Sequence, residues 1–261
     1  MFPSLTKENQ TEVIRIETRI LSPTAINTYM SCPRKFYLRY IKRLRTRPSI
    51  HLVRGLVVHK TLHQFHANFP RGPPNRSLKE IQQDLLAIFN REWERAGNRL
   101  DYLDMPKQEI DFFRRDSELM LLNFSHWFVK NNLSVPDACE SRIWSHNLKA
   151  MGIIDAVFSK DDTVILIDYK TSKYANLTDD IQRQAALYAL LYQDKYQKIP
   201  DAVWIHFLKF PGDPLPIQID EATLEYGKIL IESVREKTVS QNESDYPCKC
   251  GGYCERDFAG T

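Results

Sequence analysis

One short segment constrains this chain more than any other: residues 163–170, TVILIDYK, an apolar run that ends in a carboxylate and an ammonium. Its length and β-branched content predict a strand over 163–169. A strand this apolar is buried, and an unpaired carboxylate at its end is costly there. Asp168 therefore needs a partner. Lys170 lies two residues on and shares its face. Upstream, 152–158 (GIIDAVF) predicts another strand, and Lys160-Asp161-Asp162 predicts a tight turn between the two. Pairing as a hairpin would bring Asp155 towards Asp168. Two carboxylates beside a lysine form a hard-oxygen site for Mg²⁺ or Mn²⁺. The cation would relieve carboxylate repulsion. Lys170 would position or polarise an attacking water, or stabilise charge on a phosphate, which suits metal-assisted phosphodiester hydrolysis.

Helices dominate the part of the chain before this segment. Ser22 and Pro23 read as an N-cap and first helical residue, with Ile26, Tyr29 and Met30 following. Pro33 starts a second helix with Phe36, Tyr37, Tyr40 and Ile41 on one side. Helical periodicity continues over 54–69, 77–96 and 107–130, with a loop at 71–77. A first strand is expected over 140–148, ahead of the two already named. Thr178 or Asp179 caps a helix to about Tyr196, 202–208 (AVWIHFL) is a further strand, and 221–238 is a last helix. The order predicts an α/β fold with a small mixed sheet. Three parts of one integrated unit follow: 1–135, mainly helical; 136–240, the sheet-bearing core; and 241–261, a cysteine-rich tail.

Charge and cysteine are unevenly spread. The net charge is +3, yet no Asp or Glu occurs between Thr18 and Lys79, where thirteen Lys or Arg fall. The remainder is therefore net acidic. A basic N-terminal third beside an acidic remainder suits a polyanion-binding face next to a carboxylate site, or simply a solvated basic face. Cys32 and Cys139 stand alone, whereas Cys248, Cys250 and Cys254 crowd the tail. The polar N-terminus lacks a signal-peptide core, and no run reaches the ~18 apolar residues of a membrane span. A cytoplasmic chain without a membrane partner is expected, so the odd cysteine count points to a metal or cluster rather than disulfides.

The motifs together resemble the PD-(D/E)XK nuclease superfamily, and within it the RecB-like branch. Gly55-Leu-Val-Val-His59 resembles that branch's Gly-x-x-x-His. Gly152-Ile-Ile-Asp155, Asp168-Tyr-Lys170-Thr and Gln184-Ala-Ala-Leu-Tyr188 resemble its next three motifs, in family order. The resemblance implies a restriction-endonuclease-like core with a small central mixed β-sheet flanked by helices. It further implies that His59, Asp155 and Asp168 ligate the metal with the Tyr169 carbonyl, that Lys170 is the catalytic lysine, and that Gln184 and Tyr188 face the site and contact DNA. His59 is taken as the single histidine ligand. His63 and His66 read as packing or solvated residues, Glu140 as a surface residue and His206 as a core histidine.

The cysteines extend the resemblance to the CRISPR-associated RecB-like nucleases and the AddB helicase subunit, which carry one early and three late cysteines on a [4Fe–4S] cluster. Here Cys32, in Ser31-Cys-Pro-Arg-Lys-Phe-Tyr37, resembles the early motif, and Cys248, Cys250 and Cys254 would be the late three. Their C-x-C-x3-C spacing is tighter than that family's, and a structural Zn²⁺ on the same thiolates is the rival. Cys139 is a spectator. The reading is a DNA exonuclease acting on single-stranded DNA or ends, in repair, recombination or CRISPR adaptation, beside a helicase or integrase. Its phosphates would meet Arg34, Lys35, Arg39, Lys42, Arg43, Arg45 and Arg54. A catalytically silent DNA-binding subunit and an RNA nuclease are the alternatives. The chain shows no Walker A motor motif.

Overall fold

The strands expected around Asp155 and Asp168 lie side by side in the computed structural model, which describes residues 19–69 and 76–258. Strands β1 (Ala138–Ser145), β2 (Ala150–Lys160) and β3 (Thr163–Lys170) form an antiparallel meander. Helix α7 (Asp179–Tyr196) carries the chain over one face, so that β4 (Ala202–Phe207) runs parallel to β3. An edge strand, β5 (Leu215–Gln218), pairs antiparallel with β4 and closes a five-stranded sheet in the order β1-β2-β3-β4-β5. The α/β fold with a small mixed sheet flanked by helices is as expected. Strand β5 was missed because Pro216 lies in it; proline is tolerated there because the strand is at the sheet edge.

Among the described residues, six further helices precede the sheet: α1 (Pro23–Ser31), α2 (Pro33–Phe36), α3 (Ile50–Asn68), α4 (Leu78–Arg95), α5 (Gly97–Asp101) and α6 (Lys107–Lys130). Helix α8 (Glu221–Lys237) and the one-turn α9 (Tyr253–Arg256) follow it. Helix α1 starts where the sequence placed it, with the Ser22 hydroxyl accepting from the Ala25 N–H. Helix α3 begins four residues before the expected Arg54, because Ser49 supplies a cap to Leu52 N–H. The expected helix after Pro33 is interrupted: Tyr37–Ile41 is a π-helical turn in which Tyr37 O accepts from Lys42 N–H at 2.9 Å. Most of the expected 71–77 loop lies outside the described residues. Among the described residues, no helix is long and apolar enough to cross a membrane.

Two apolar cores sandwich the sheet. On one face Ile154, Leu166, Val203 and Ile205 pack with Leu187 and Leu191 of α7 and Ile231 of α8. On the other, Ala156, Ile167 and Tyr169 pack with Leu62 and Phe65 of α3 and Phe124 and Phe128 of α6. Ile154 and Ala156 should share a face by simple alternation, yet they enter opposite cores. The break lies between Cys139–Ala156 and Ser141–Ile154 in the β1–β2 ladder, beside Glu140, whose φ is +43°. That local switch releases Asp155 from the regular pleat.

Candidate active site

Asp155 turns its carboxylate towards α3, where Oδ1 lies 2.9 Å from His59 Nδ1. Its Oδ2 accepts from the backbone N–H of Tyr169 at 2.8 Å. This N–H lies just past the end of the β2–β3 ladder, whose last pair is Ala156–Ile167. The carboxylate thus takes over a backbone donor that the ladder leaves free. Burial pushes the Asp155 carboxyl up, but the His59 charge and hydrogen bond and the Tyr169 N–H outweigh it and hold it below the ordinary value. Burial likewise pulls the His59 imidazole down, and Asp155 more than reverses it.

Asp168 is only 3% exposed, at the end of the apolar strand. Lys170 Nζ lies 2.6 Å from its Oδ2, the pairing expected of residues two apart. That contact is not aligned as a hydrogen bond, and Oδ2 has no hydrogen-bond partner among the described residues. Burial raises the Asp168 carboxyl; Lys170 pulls it back and the Asp155 charge raises it again, leaving it above the ordinary value. Lys170 Nζ also donates to Gln184 Oε1 at 2.6 Å, and Gln184 Nε2 donates to the Tyr188 hydroxyl at 2.7 Å. Gln184 and Tyr188 are one turn apart on α7. Tyr188 has a phenol well above its usual range, chiefly through burial, so it keeps its proton. With its oxygen already accepting from Gln184, that proton is free to be donated.

Gly152 explains how β2 comes so close to α7. A Cβ there would lie 2.9 Å from Leu191 Cδ1 and 3.2 Å from Tyr188 Cε1. Its motif partner Gly55 is less constrained, since a Cβ would meet only Thr171 Oγ1, at 3.6 Å.

His59, Asp155, Asp168, Lys170, Gln184 and Tyr188 all line one cavity of about 870 Å³. Two carboxylates, one of them with a buried oxygen that lacks a hydrogen bond among the described residues, and an imidazole form a donor set that suits a hard divalent cation. His66 is elsewhere: it is buried, its Nε2 lies 3.2 Å from the Tyr169 hydroxyl, and burial pushes its ring down to about 3. His63 lies 3.4 Å from Glu140. His206 is a core residue, 4.4 Å centroid to centroid from Trp127.

The basic residues divide into three groups. Arg34 and Lys42 pair with Glu243, Lys35 pairs with Asp257 at 2.5 Å, and Arg34 Nε donates to Tyr246 O at 3.2 Å. These three cations clip the C-terminal tail to α2 and the π-helical turn that follows it. Arg54, expected as a phosphate contact, is buried and donates to Asp116 at 3.0 Å and to Thr171 O at 2.5 Å. Arg39, Arg43 and Arg45 make no ion pair among the described residues; Arg39 lies 5.4 Å from the Tyr40 ring centroid.

The tail brings the sulfurs of Cys32, Cys248, Cys250 and Cys254 within 4.8 Å of one another. Cys32 sits between α1 and α2 and accepts from Lys249 N–H at 3.5 Å. Gly252 N–H donates to Cys248 Sγ at 3.2 Å and Cys254 N–H to Cys250 Sγ at 3.0 Å. The turn that aims these N–H groups needs positive φ at Gly251 and Gly252, +63° and +85°. Backbone N–H groups, then the other thiols, draw Cys248 down to about 6. A thiolate is thus favoured at Cys248, whereas burial raises the thiols of Cys250 and Cys254. Cys139 lies apart, with burial pushing its thiol up to about 12.

A family model for the PD-(D/E)XK nuclease superfamily matches residues 20–256. Among solved structures, a candidate exonuclease from Eubacterium rectale has the same fold, with a TM-score of 0.59 and 11% identity, over 100% of this chain and 96% of that one. No curated protein sequence matches the chain.

Proposed function

Because the chain belongs to the PD-(D/E)XK nuclease superfamily, we propose that it is a divalent-metal-dependent deoxyribonuclease of the RecB-like iron–sulfur branch, an exonuclease on single-stranded DNA or DNA ends. The observation that carries the reading is the buried Asp168, whose Oδ2 lacks a hydrogen bond, between Lys170 and the His59–Asp155 pair in one cavity. A Mg²⁺ or Mn²⁺ held by His59, Asp155, Asp168 and the Tyr169 carbonyl would polarise the phosphate and lower the pKa of its water.

The protein's own groups do the rest. Asp168 and Gln184 together fix the Lys170 ammonium, which orients the attacking water and offsets charge developing on the phosphate. Tyr188, oriented by Gln184, donates a hydrogen bond from its hydroxyl to a phosphate oxygen and keeps its proton. Arg39, Arg43 and Arg45 supply phosphate contacts away from the reacting centre.

In this proposal the cysteines hold a structural [4Fe–4S] cluster, since hydrolysis needs no electron. Sulfur spacing favours a second reading. Cys248 Sγ lies 3.5 Å from Cys250 Sγ and 3.6 Å from Cys254 Sγ. Tetrahedral Zn²⁺ with Zn–S of about 2.3 Å has an S–S edge of about 3.8 Å, whereas a cubane cluster holds its thiolates further apart. Work in repair, recombination or CRISPR adaptation beside a helicase or integrase, in the cytoplasm, completes the proposal.

The test is cleavage of matched DNA and RNA oligonucleotides, labelled in turn at the 5′ and 3′ end and in duplex and single-stranded form, by protein purified without air and assayed for iron, sulfide and zinc. Stepwise loss from one end of single-stranded DNA by an iron-loaded protein supports the whole reading. Cleavage of RNA alone overturns the substrate, and stoichiometric zinc without iron overturns the cluster.

A further inference from the structure

The cavity above the carboxylates has a second wall that phosphodiester cleavage does not use. Helix α6 contributes Phe112 and Phe113 to it, and the first turn of α3 contributes His51. Phe112 is 55% exposed, although Lys173, Lys209 and Arg54 line the same space. The rings brace one another edge to face. Phe112 and Phe113 are 5.7 Å apart at 86°, and His51 and Phe113 are 5.1 Å apart at 85°. Burial and the neighbouring Arg54 charge lower the His51 pKa, so it serves as a ring rather than a cation.

This aromatic wall is tied to the reacting centre. The Arg54 guanidinium lies 5.3 Å from the Phe113 centroid. It donates to Asp116 on α6 and to the carbonyl of Thr171, the residue after Lys170. Lys209 holds the other oxygen of Asp116 at 2.9 Å. The platform is therefore fixed relative to the end of β3.

An exposed phenylalanine contributes nothing to phosphate binding. Beside cations and a phosphate-cleaving centre, a flat apolar ring fits the face of a nucleobase, with the phosphate directed to the Lys170 end. Inside a duplex both faces of a base are covered by its neighbours, so only a splayed, unpaired nucleotide can lie on Phe112. We infer that Phe112, backed by Phe113 and His51, is a stacking site for an unpaired base next to the scissile phosphate, and that this wall sets a preference for single strands. The inference rests on the nuclease reading for where the phosphate lies.

The test crosses two proteins with two strands. Wild type and Phe112→Ala are each given a single-stranded DNA oligonucleotide, and the same oligonucleotide with abasic sugars over its terminal nucleotides. Affinity is read in EDTA and cleavage in Mg²⁺. Phe112→Ala should weaken binding and kcat/KM on the normal strand by roughly 5-fold to 100-fold, the range of one base–aromatic stack. On the abasic strand it should change either by less than about twofold, because the partner of the ring is already gone. Phe112→Trp should restore or tighten binding to the normal strand. Equal losses on both strands, or no loss on the normal strand, overturn the inference, as does wild type that binds neither. Wild type that shows the coupling in binding but cleaves nothing in any divalent cation keeps the stacking site and defeats the nuclease reading. Wild type that cleaves without the coupling does the reverse. Phe112 is exposed, so the melting temperature of Phe112→Ala should match wild type.

Discussion

His206 should make this protein acid-sensitive, and replacing it should remove part of that sensitivity. Its ring is 1% exposed, packs against Trp127, Phe124 and Tyr169, and has no hydrogen-bond partner on either nitrogen among the described residues. Burial pulls its pKa down to about 4. In the unfolded chain the ring titrates near its ordinary ~6.5. Between those values the unfolded state binds the extra proton, so stability rises with pH and is lost as pH falls from about 6.5 towards 4. At pH 5 the linkage relation gives a loss of about 2 kcal/mol from this one residue, and almost nothing at pH 7. His206→Leu, close in volume, leaves no polar atom to desolvate. At roughly 2 °C per kcal/mol for a chain of this size, the variant should gain about 4 °C on wild type between pH 7 and pH 5. Thermal unfolding followed by circular dichroism across that range is the assay. Parallel Tm-versus-pH curves for the two proteins would refute the reasoning, because His206 would then be protonated equally in both states.

Gly152→Ala should cost only about 1 kcal/mol, since Leu191 can yield, but should slow catalysis several-fold by pushing Tyr188 off its Gln184 hydrogen bond; unchanged rates at saturating cation would contradict this. Cys32→Ser should lose the bound metal and destabilise the fold by up to about 5 kcal/mol, by analogy with the entropy of closing so long a loop, while Cys139→Ser does neither; metal analysis and thermal unfolding decide. Charge reversal at Arg43 and Arg45 should flatten the salt dependence of DNA binding by roughly 0.7 per lost phosphate contact on a single strand, and an unchanged slope would place the strand elsewhere.

Local patterns carried much of the fold. The apolar β3 strand, the Ser22 cap and the α7 periodicity each depend on a few neighbouring residues, and each element lies within a few residues of its expected position. Asp168 with Lys170, and Gln184 with Tyr188, are brought together by spacing alone, two along a strand and four along a helix. The direction of Asp155 was not legible, because it depends on the break in alternation beside Glu140, which no residue pattern announces. Nor was the use of Arg34, Lys35 and Lys42 legible: their acidic partners, Glu243 and Asp257, lie about two hundred residues away. Three of the four gathered cysteines declared themselves by spacing, whereas Cys32 did so only through its resemblance to a known motif. The aromatic wall was missed because Phe112 and Phe113 look like core positions on an amphipathic helix.

The central claim is that Asp168 and its neighbours hold the cation that cleaves the strand. It is tested most directly by following cleavage of a labelled single-stranded oligonucleotide by wild type and Asp168→Ala in Mg²⁺, in Mn²⁺ and in EDTA, with binding measured alongside. Wild type should cleave in either cation and not in EDTA, while Asp168→Ala binds the strand with similar affinity and does not cleave it. Cleavage by wild type in EDTA, or cleavage by Asp168→Ala at the wild-type rate, would contradict the account.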